Sequence, residues 1–143
     1  MGRRRAAESA KSEHTAKLAV AIFAITLLVY AKALSHDFIN LDDPRLIRHN
    51  PAIESLSPGS VIAMFVPHRG QTFQPMRVLS YAVDRAIFGE GPFGFHLCNV
   101  LLHASAAVLL FLVLRALKIP RSPAFTAALL WAVHPVNVEA VAW

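Results

Sequence analysis

Apolar residues in this chain are gathered into three long runs with polar stretches between them. The first, Leu18 to Leu34, is interrupted only by Thr26 and by Lys32 near its end. As a helix it spans about 26 Å, enough for a bilayer core if Lys32 snorkels to the interface. A cleaved signal peptide also sets basic residues ahead of an apolar core, but that core is about 7–15 residues and ends at a small-x-small site. The longer run and the missing site favour a retained spanning helix. The second run, Phe95 to Leu117, is long enough to cross. The third, Ala124 to Trp143, holds Pro135, which kinks it or divides it into two helices. Only residues 118–123 separate the last two runs, so they form an antiparallel hairpin. The predicted fold class is all-α, a polytopic membrane protein with a helical outer loop between its first two spans.

Composition agrees with this pattern. Of 143 residues, 55% are hydrophobic and 16% charged, which excludes a disordered chain and an ordinary soluble domain. A single cysteine, Cys98, excludes an intrachain disulfide framework and a CxxC site. The net charge of +5 would suit nucleic acid, so the placement of the basic residues decides. Arg3, Arg4, Arg5, Lys11 and Lys17 precede the first run, and Arg115, Lys118 and Arg121 flank the hairpin turn. The connection from Ser35 to Gly94 is close to neutral, with five basic and six acidic residues. By the positive-inside rule the N-terminus and the hairpin turn are cytoplasmic and the long loop lies on the far side. The basic excess is accounted for by sidedness and by anionic lipid, and nucleic acid is not an expected partner.

The outer loop, residues 35–94, is too long for a plain connector. Asp43-Pro44 predicts an N-cap and a short helix through Arg48; Ser57-Pro58 repeats the signal; Gln74-Pro75 opens a longer helix from Met76 to Phe88. In that helix Met76, Leu79, Val83, Ala86 and Ile87 share one face, opposite Arg77, Ser80, Tyr81 and Asp84. Such a helix, directly before a span, is expected along the membrane surface. Asp42-Asp43 carries the most pointed chemistry. Adjacent carboxylates outside a bilayer can act as a general base, ligate a divalent cation or cap a helix, and a cap explains Asp43 alone. In the second run His96, Asn99 and His103 fall on one face, a polar stripe that should meet other helices or a wet cavity; interhelical hydrogen bonding is the plain alternative for His103. In the third, His134 and Glu139 straddle the Pro135 break, a place where an ionisable residue is a functional-site candidate. The histidines show no HxxxH or HxH spacing, which disfavours a histidine-built metal site.

Several of these segments, in this order, resemble a known family. Phe38-Ile39-Asn40-Leu41-Asp42-Asp43, Asn50-Pro51-Ala52-Ile53, Gln74-Pro75-Met76-Arg77-Val78-Leu79-Ser80-Tyr81, the stretch from Phe95 to His103, and His134-Pro135-Val136-Asn137-Val138-Glu139-Ala140-Val141-Ala142-Trp143 look like the start of the transmembrane and tetratricopeptide-repeat O-mannosyltransferase-like proteins and their bacterial relatives, in the GT-C superfamily. Phe73-Gln74-Pro75 departs from the Tyr-Arg-Pro common there. The resemblance implies a membrane glycosyltransferase that moves a mannose-like sugar from a polyprenyl-phosphate carrier to a protein hydroxyl. On that basis Asp42 and Asp43 are the catalytic candidates, and Arg77, His103, His134 and Glu139 the substrate-binding ones. A divalent metal is not required by the sequence. The expected setting is a bacterial inner membrane or the endoplasmic reticulum. With about three spans and no 34-residue repeat, the chain reads as an N-terminal fragment, inactive alone. Its expected parts are a basic tail (1–17), spans at 18–34, 95–117 and 124–143, the outer loop (35–94) and a cytoplasmic turn (118–123). The rival readings are a scaffold that binds a partner through the outer loop, and a transporter subunit with an ion site at the broken third helix.

Overall fold

A computed structural model describes residues 2–38, 43–67 and 72–142, with backbone alone at 2–8, 10 and 11. Every regular element among the described residues is helical, so the all-α expectation holds. The chain divides into two compact units: residues 1–33 with 99–143, here the helical unit, and residues 34–98, the loop unit.

The helical unit begins with α1, Gly2–Tyr30, which tightens into a 3₁₀ turn at Ala31–Ser35. It starts well before the apolar run, because nothing between Gly2 and Lys17 breaks a helix. The window Ser12–Ser35 is long and apolar enough to cross a membrane, as is α4, Pro92–Ala116, which opens three residues ahead of its run because Pro92 suits a first helical turn. Helix α5, Arg121–Ala132, similarly absorbs Pro123 into its first turn. Ala124, Ala128 and Ala132, one turn apart, are fully buried with Ile22, Ala107 and Phe111. Small residues at that spacing let helix backbones approach closely, the usual basis of packing in a bilayer. The buried Thr26 hydroxyl donates back to the Ile22 carbonyl at 2.8 Å. Leu28, Leu102, Leu109 and Leu130 are exposed, as lipid-facing positions are. With two crossing helices and a third bent pair, the chain is an integral membrane protein.

Helix α4 stops at a Schellman turn. The amide of Ile119 donates to the Leu114 carbonyl and that of Lys118 to Arg115, at 3.1 and 3.0 Å, and Lys118 takes a left-handed φ of 64°. Pro120 then prevents the helix from resuming.

The loop unit is built from short pieces nucleated at prolines. Ser57 caps α2, Pro58–Met64, by accepting from the Ser60 amide at 3.2 Å, as the sequence predicts. Helix α3, Pro75–Phe88, starts where the Gln74-Pro75 signal placed it. Asp43 requires a correction. It has helical dihedrals (φ −58°, ψ −39°) and makes no capping bond, and the segment after it, Pro44–Arg48, is a turn of π-helix. A cap needs extended backbone to turn its carboxylate over the free amides. Asn50 fills such a role instead: its side chain accepts from the Ala52 amide at 3.1 Å and donates to the Leu46 carbonyl at 2.8 Å. Ile47, Ile53, Ala82 and Phe95 form the core of the unit, with Phe38, Val78 and Tyr81 packed against it.

Candidate functional site

Helix α3 turns inward the face that periodicity set opposite its apolar stripe. Ala82 and Asp84 are buried and Tyr81 half-buried, whereas Met76 and Ile87 are 67% and 66% exposed. An apolar stripe turned outward beside a spanning helix is the arrangement of a helix seated in a membrane interface.

The inward face meets a polar and aromatic cluster. Phe95 takes Phe38 and Tyr81 edge-on, with centroids 5.7 and 5.9 Å away, and the Arg48 guanidinium stands 5.7 Å from the Phe38 centroid. Burial pushes the Tyr81 phenol up; Arg77 opposes that shift, and Asp43 and Asp84 reinforce it. Three charged side chains therefore act electrostatically on one hydroxyl. Burial likewise raises the Asp84 carboxyl above the ordinary range, against the thiol of Cys98, which hydrogen-bonds it. Asp43 and His36 lie within electrostatic reach of His96, and the rings of His36 and His96 stand perpendicular, 6.4 Å apart.

The sequence-predicted residues divide between the units. Asp43 and Arg77 both lie in the loop unit, within electrostatic reach of Tyr81. Asp42 lies outside the described residues. His103, His134 and Glu139 belong to the helical unit, around the break after α5. That break passes through a 3₁₀ turn, Pro135–Asn137, into α6, Val138–Ala142, with a bend of 46°. Pro135 has no amide to donate, so carbonyls at the end of α5 need other partners. Asn137 donates to Trp131 O at 2.6 Å, and His103 Nε2 to Ala132 O at 2.8 Å. A carbonyl only accepts, so His103 carries its proton on Nε2. Its ring lies between Tyr30 and Trp131, with centroids 5.2 and 5.0 Å away. His134 Nδ1 accepts from the Val136 amide at 3.2 Å, capping the new turn. Glu139 is exposed in the first turn of α6.

Tyr81, Asp84 and His96 were not among the predicted site residues. Their signal was available: a tyrosine and an aspartate share the non-lipid face of an amphipathic helix, and His96 follows two glycines and a proline into a span. Among the described residues no three His, Cys, Asp or Glu side chains converge as metal ligands.

No family model matches the chain, and no solved structure does. Curated relatives do. Protein O-mannosyl-transferase TMTC2 of Mus musculus is 35% identical over 127 residues, covering 83% of this chain and 15% of that protein. Protein O-mannosyl-transferase Tmtc1 of Drosophila melanogaster is 33% identical over 129 residues, covering 83% and 15%. Protein O-mannosyl-transferase TMTC4 of Mus musculus is 30% identical over 151 residues, covering 89% and 20%. The chain thus spans 15–20% of the length of these relatives. Over the stretch it covers, the chain is TMTC-like.

Proposed function

We propose that this chain contributes to a membrane-bound protein O-mannosyltransferase of GT-C type, which moves a mannose-like sugar from a polyprenyl-phosphate carrier to a serine or threonine hydroxyl. The observation that carries the reading is the match, over most of the chain, to relatives named as protein O-mannosyl-transferases. The placing of Asp43 and Arg77 within electrostatic reach of Tyr81 supports it.

In the transfer the acceptor hydroxyl gives its proton to a carboxylate of Asp42-Asp43 as its oxygen bonds the anomeric carbon. The bond from that carbon to the phosphate oxygen breaks, and the polyprenyl phosphate leaves with the electron pair. Arg77 offsets the charge that builds on the departing oxygen. Helix α3, seated at headgroup level, brings Arg77 to the carrier, whose tail stays in lipid. Within the helical unit, His103 and His134 are candidate substrate contacts through the ring nitrogens they do not commit to backbone, Nδ1 and Nε2 respectively, with Glu139 in the first turn of α6. The basic N-terminus faces the cytoplasm and the loop unit the opposite side, in an endoplasmic reticulum or bacterial inner membrane.

The test is transfer from labelled polyprenyl-phosphate mannose to serine- and threonine-containing peptides, with the protein expressed from its own gene in membranes, with and without chelator. Asp43→Asn should abolish transfer while the protein still inserts. Undiminished transfer in Asp43→Asn and Asp42→Asn would sink the reading and favour a scaffold. Loss with chelator alone would add a cation to the site.

A further inference from the structure

Among the described histidines of the loop unit His96 alone is buried, at 4% exposed, and neither of its ring nitrogens has a hydrogen-bond partner among the described residues. The His36 main chain comes near the ring without reaching hydrogen-bonding geometry. A buried imidazole with two open positions is unfavourable, and folded proteins seldom keep such a group without a use for it. The helical unit shows the ordinary outcome, where His103 and His134 each engage a backbone atom. His96 is also placed where chemistry is expected. Asp43 lies within its electrostatic reach, and the aromatic group of Phe38, Phe95 and Tyr81 belongs to the same unit.

The two open positions describe the missing partner. A neutral imidazole offers one N–H donor and, on the far side of the ring, one acceptor. A phosphate oxygen only accepts, so it would satisfy one position and leave the other open. A sugar ring carries several hydroxyls, each able to donate and accept, and its C–H faces pack on aromatic side chains. We propose that His96 is a binding residue for the sugar of the glycosyl donor, holding its hydroxyls through both ring nitrogens. This rests on the transferase reading given above. His36, exposed and edge-on to His96, is the side chain that entering sugar displaces.

Two ligands separate the sugar from the carrier: short-chain polyprenyl-phosphate mannose and the same polyprenyl phosphate without sugar. Binding of each is measured on the whole protein in detergent, as expressed from its gene, for wild type, His96→Phe and His96→Gln. His96→Phe should bind the mannosylated carrier about tenfold more weakly and the bare carrier as tightly as wild type, the scale of one or two lost hydrogen bonds to a buried hydroxyl. His96→Gln keeps one donor and one acceptor and should recover part of the loss. Because Phe removes unpaired nitrogens from a buried site, its melting temperature should match or exceed that of wild type. Equal weakening of both ligands would overturn the sugar assignment, and so would unchanged binding of the mannosylated carrier. If His96→Phe does not fold, His96→Gln decides: weaker binding of the mannosylated carrier alone supports the assignment, and unchanged binding of it or equal weakening of both ligands overturns it. Wild type that binds neither ligand refutes the transferase reading itself, and the assignment falls with it.

Discussion

The break after α5 and the interior of the loop unit treat buried polar atoms differently. At the break after α5, each carbonyl or amide released by Pro135 finds a side chain: Asn137 for Trp131, His103 for Ala132, His134 for Val136. In the loop unit, both nitrogens of His96 and the Nε of Arg77 are buried with no partner among the described residues. Residue type does not distinguish the two regions, since both use histidine. Pairing distinguishes them. Satisfied polar groups hold a helix break in place, whereas unsatisfied ones mark a surface prepared for something that arrives later.

That contrast can be broken most forcefully at Asp43. Asp43→Asn is expected to reduce sugar transfer by at least about a hundredfold, the contribution of a general base, with insertion and melting temperature unchanged; a parallel loss of folded protein would place Asp43 with the structural group instead. Next comes His103→Phe, which strips the Ala132 carbonyl of its donor and should lower stability by about 1–2 kcal/mol in a thermal melt. His134→Ala should follow at about 1 kcal/mol, the value of a cap. If either left the melt untouched, the break would not depend on its polar pairs.

Asp84 sharpens the contrast through pH. Its folded carboxyl is raised above the unfolded one, so its contribution is fully present below the ordinary carboxylate range and is lost as pH rises through the raised value. Asp84→Asn should remove that decline, leaving stability flatter from acid to neutral pH and higher at neutrality, as followed by melting temperature against pH. The smallest effect is expected at Lys118. Glycine adopts a left-handed φ without the Cβ penalty, so Lys118→Gly should stabilise the α4–α5 turn by about 1 kcal/mol, within reach of careful thermal melts.

Much of the helical architecture is legible in the sequence because its signals are local. A long apolar run needs no tertiary context to be read as a span, and Ser57-Pro58 and Gln74-Pro75 fix helix starts within one turn. Asp43-Pro44 carries the same signal and misleads, because the tertiary setting of the π turn, not the dipeptide, determines the dihedrals of Asp43. The site was partly legible. Asp43 and Arg77 stand out by chemistry, and the resemblance adds to them. Tyr81 and Asp84 do not stand out, because periodicity reports that α3 has two unlike faces without saying which is turned toward protein, and His96 shows only as one member of the polar stripe of α4. In water the apolar face would be buried. Beside a bilayer lipid can take that face, and the polar one becomes the interior.

The corner between α3 and α4 carries a consequence for how variants of this protein will be diagnosed. Gly89 turns at φ 80°, the Arg85 guanidinium meets the Glu90 carboxylate at 2.5 Å, and a Cβ on Gly94 would fall into the Phe88 side chain. His96 stands two residues past that glycine, so the corner sets its position against Tyr81. A substitution as slight as Gly94→Ala would force the corner apart and misalign both residues while leaving every reactive atom in the chain. An assay would register it as a lost catalytic group, and only the structure would show that the fault lies in the spacing.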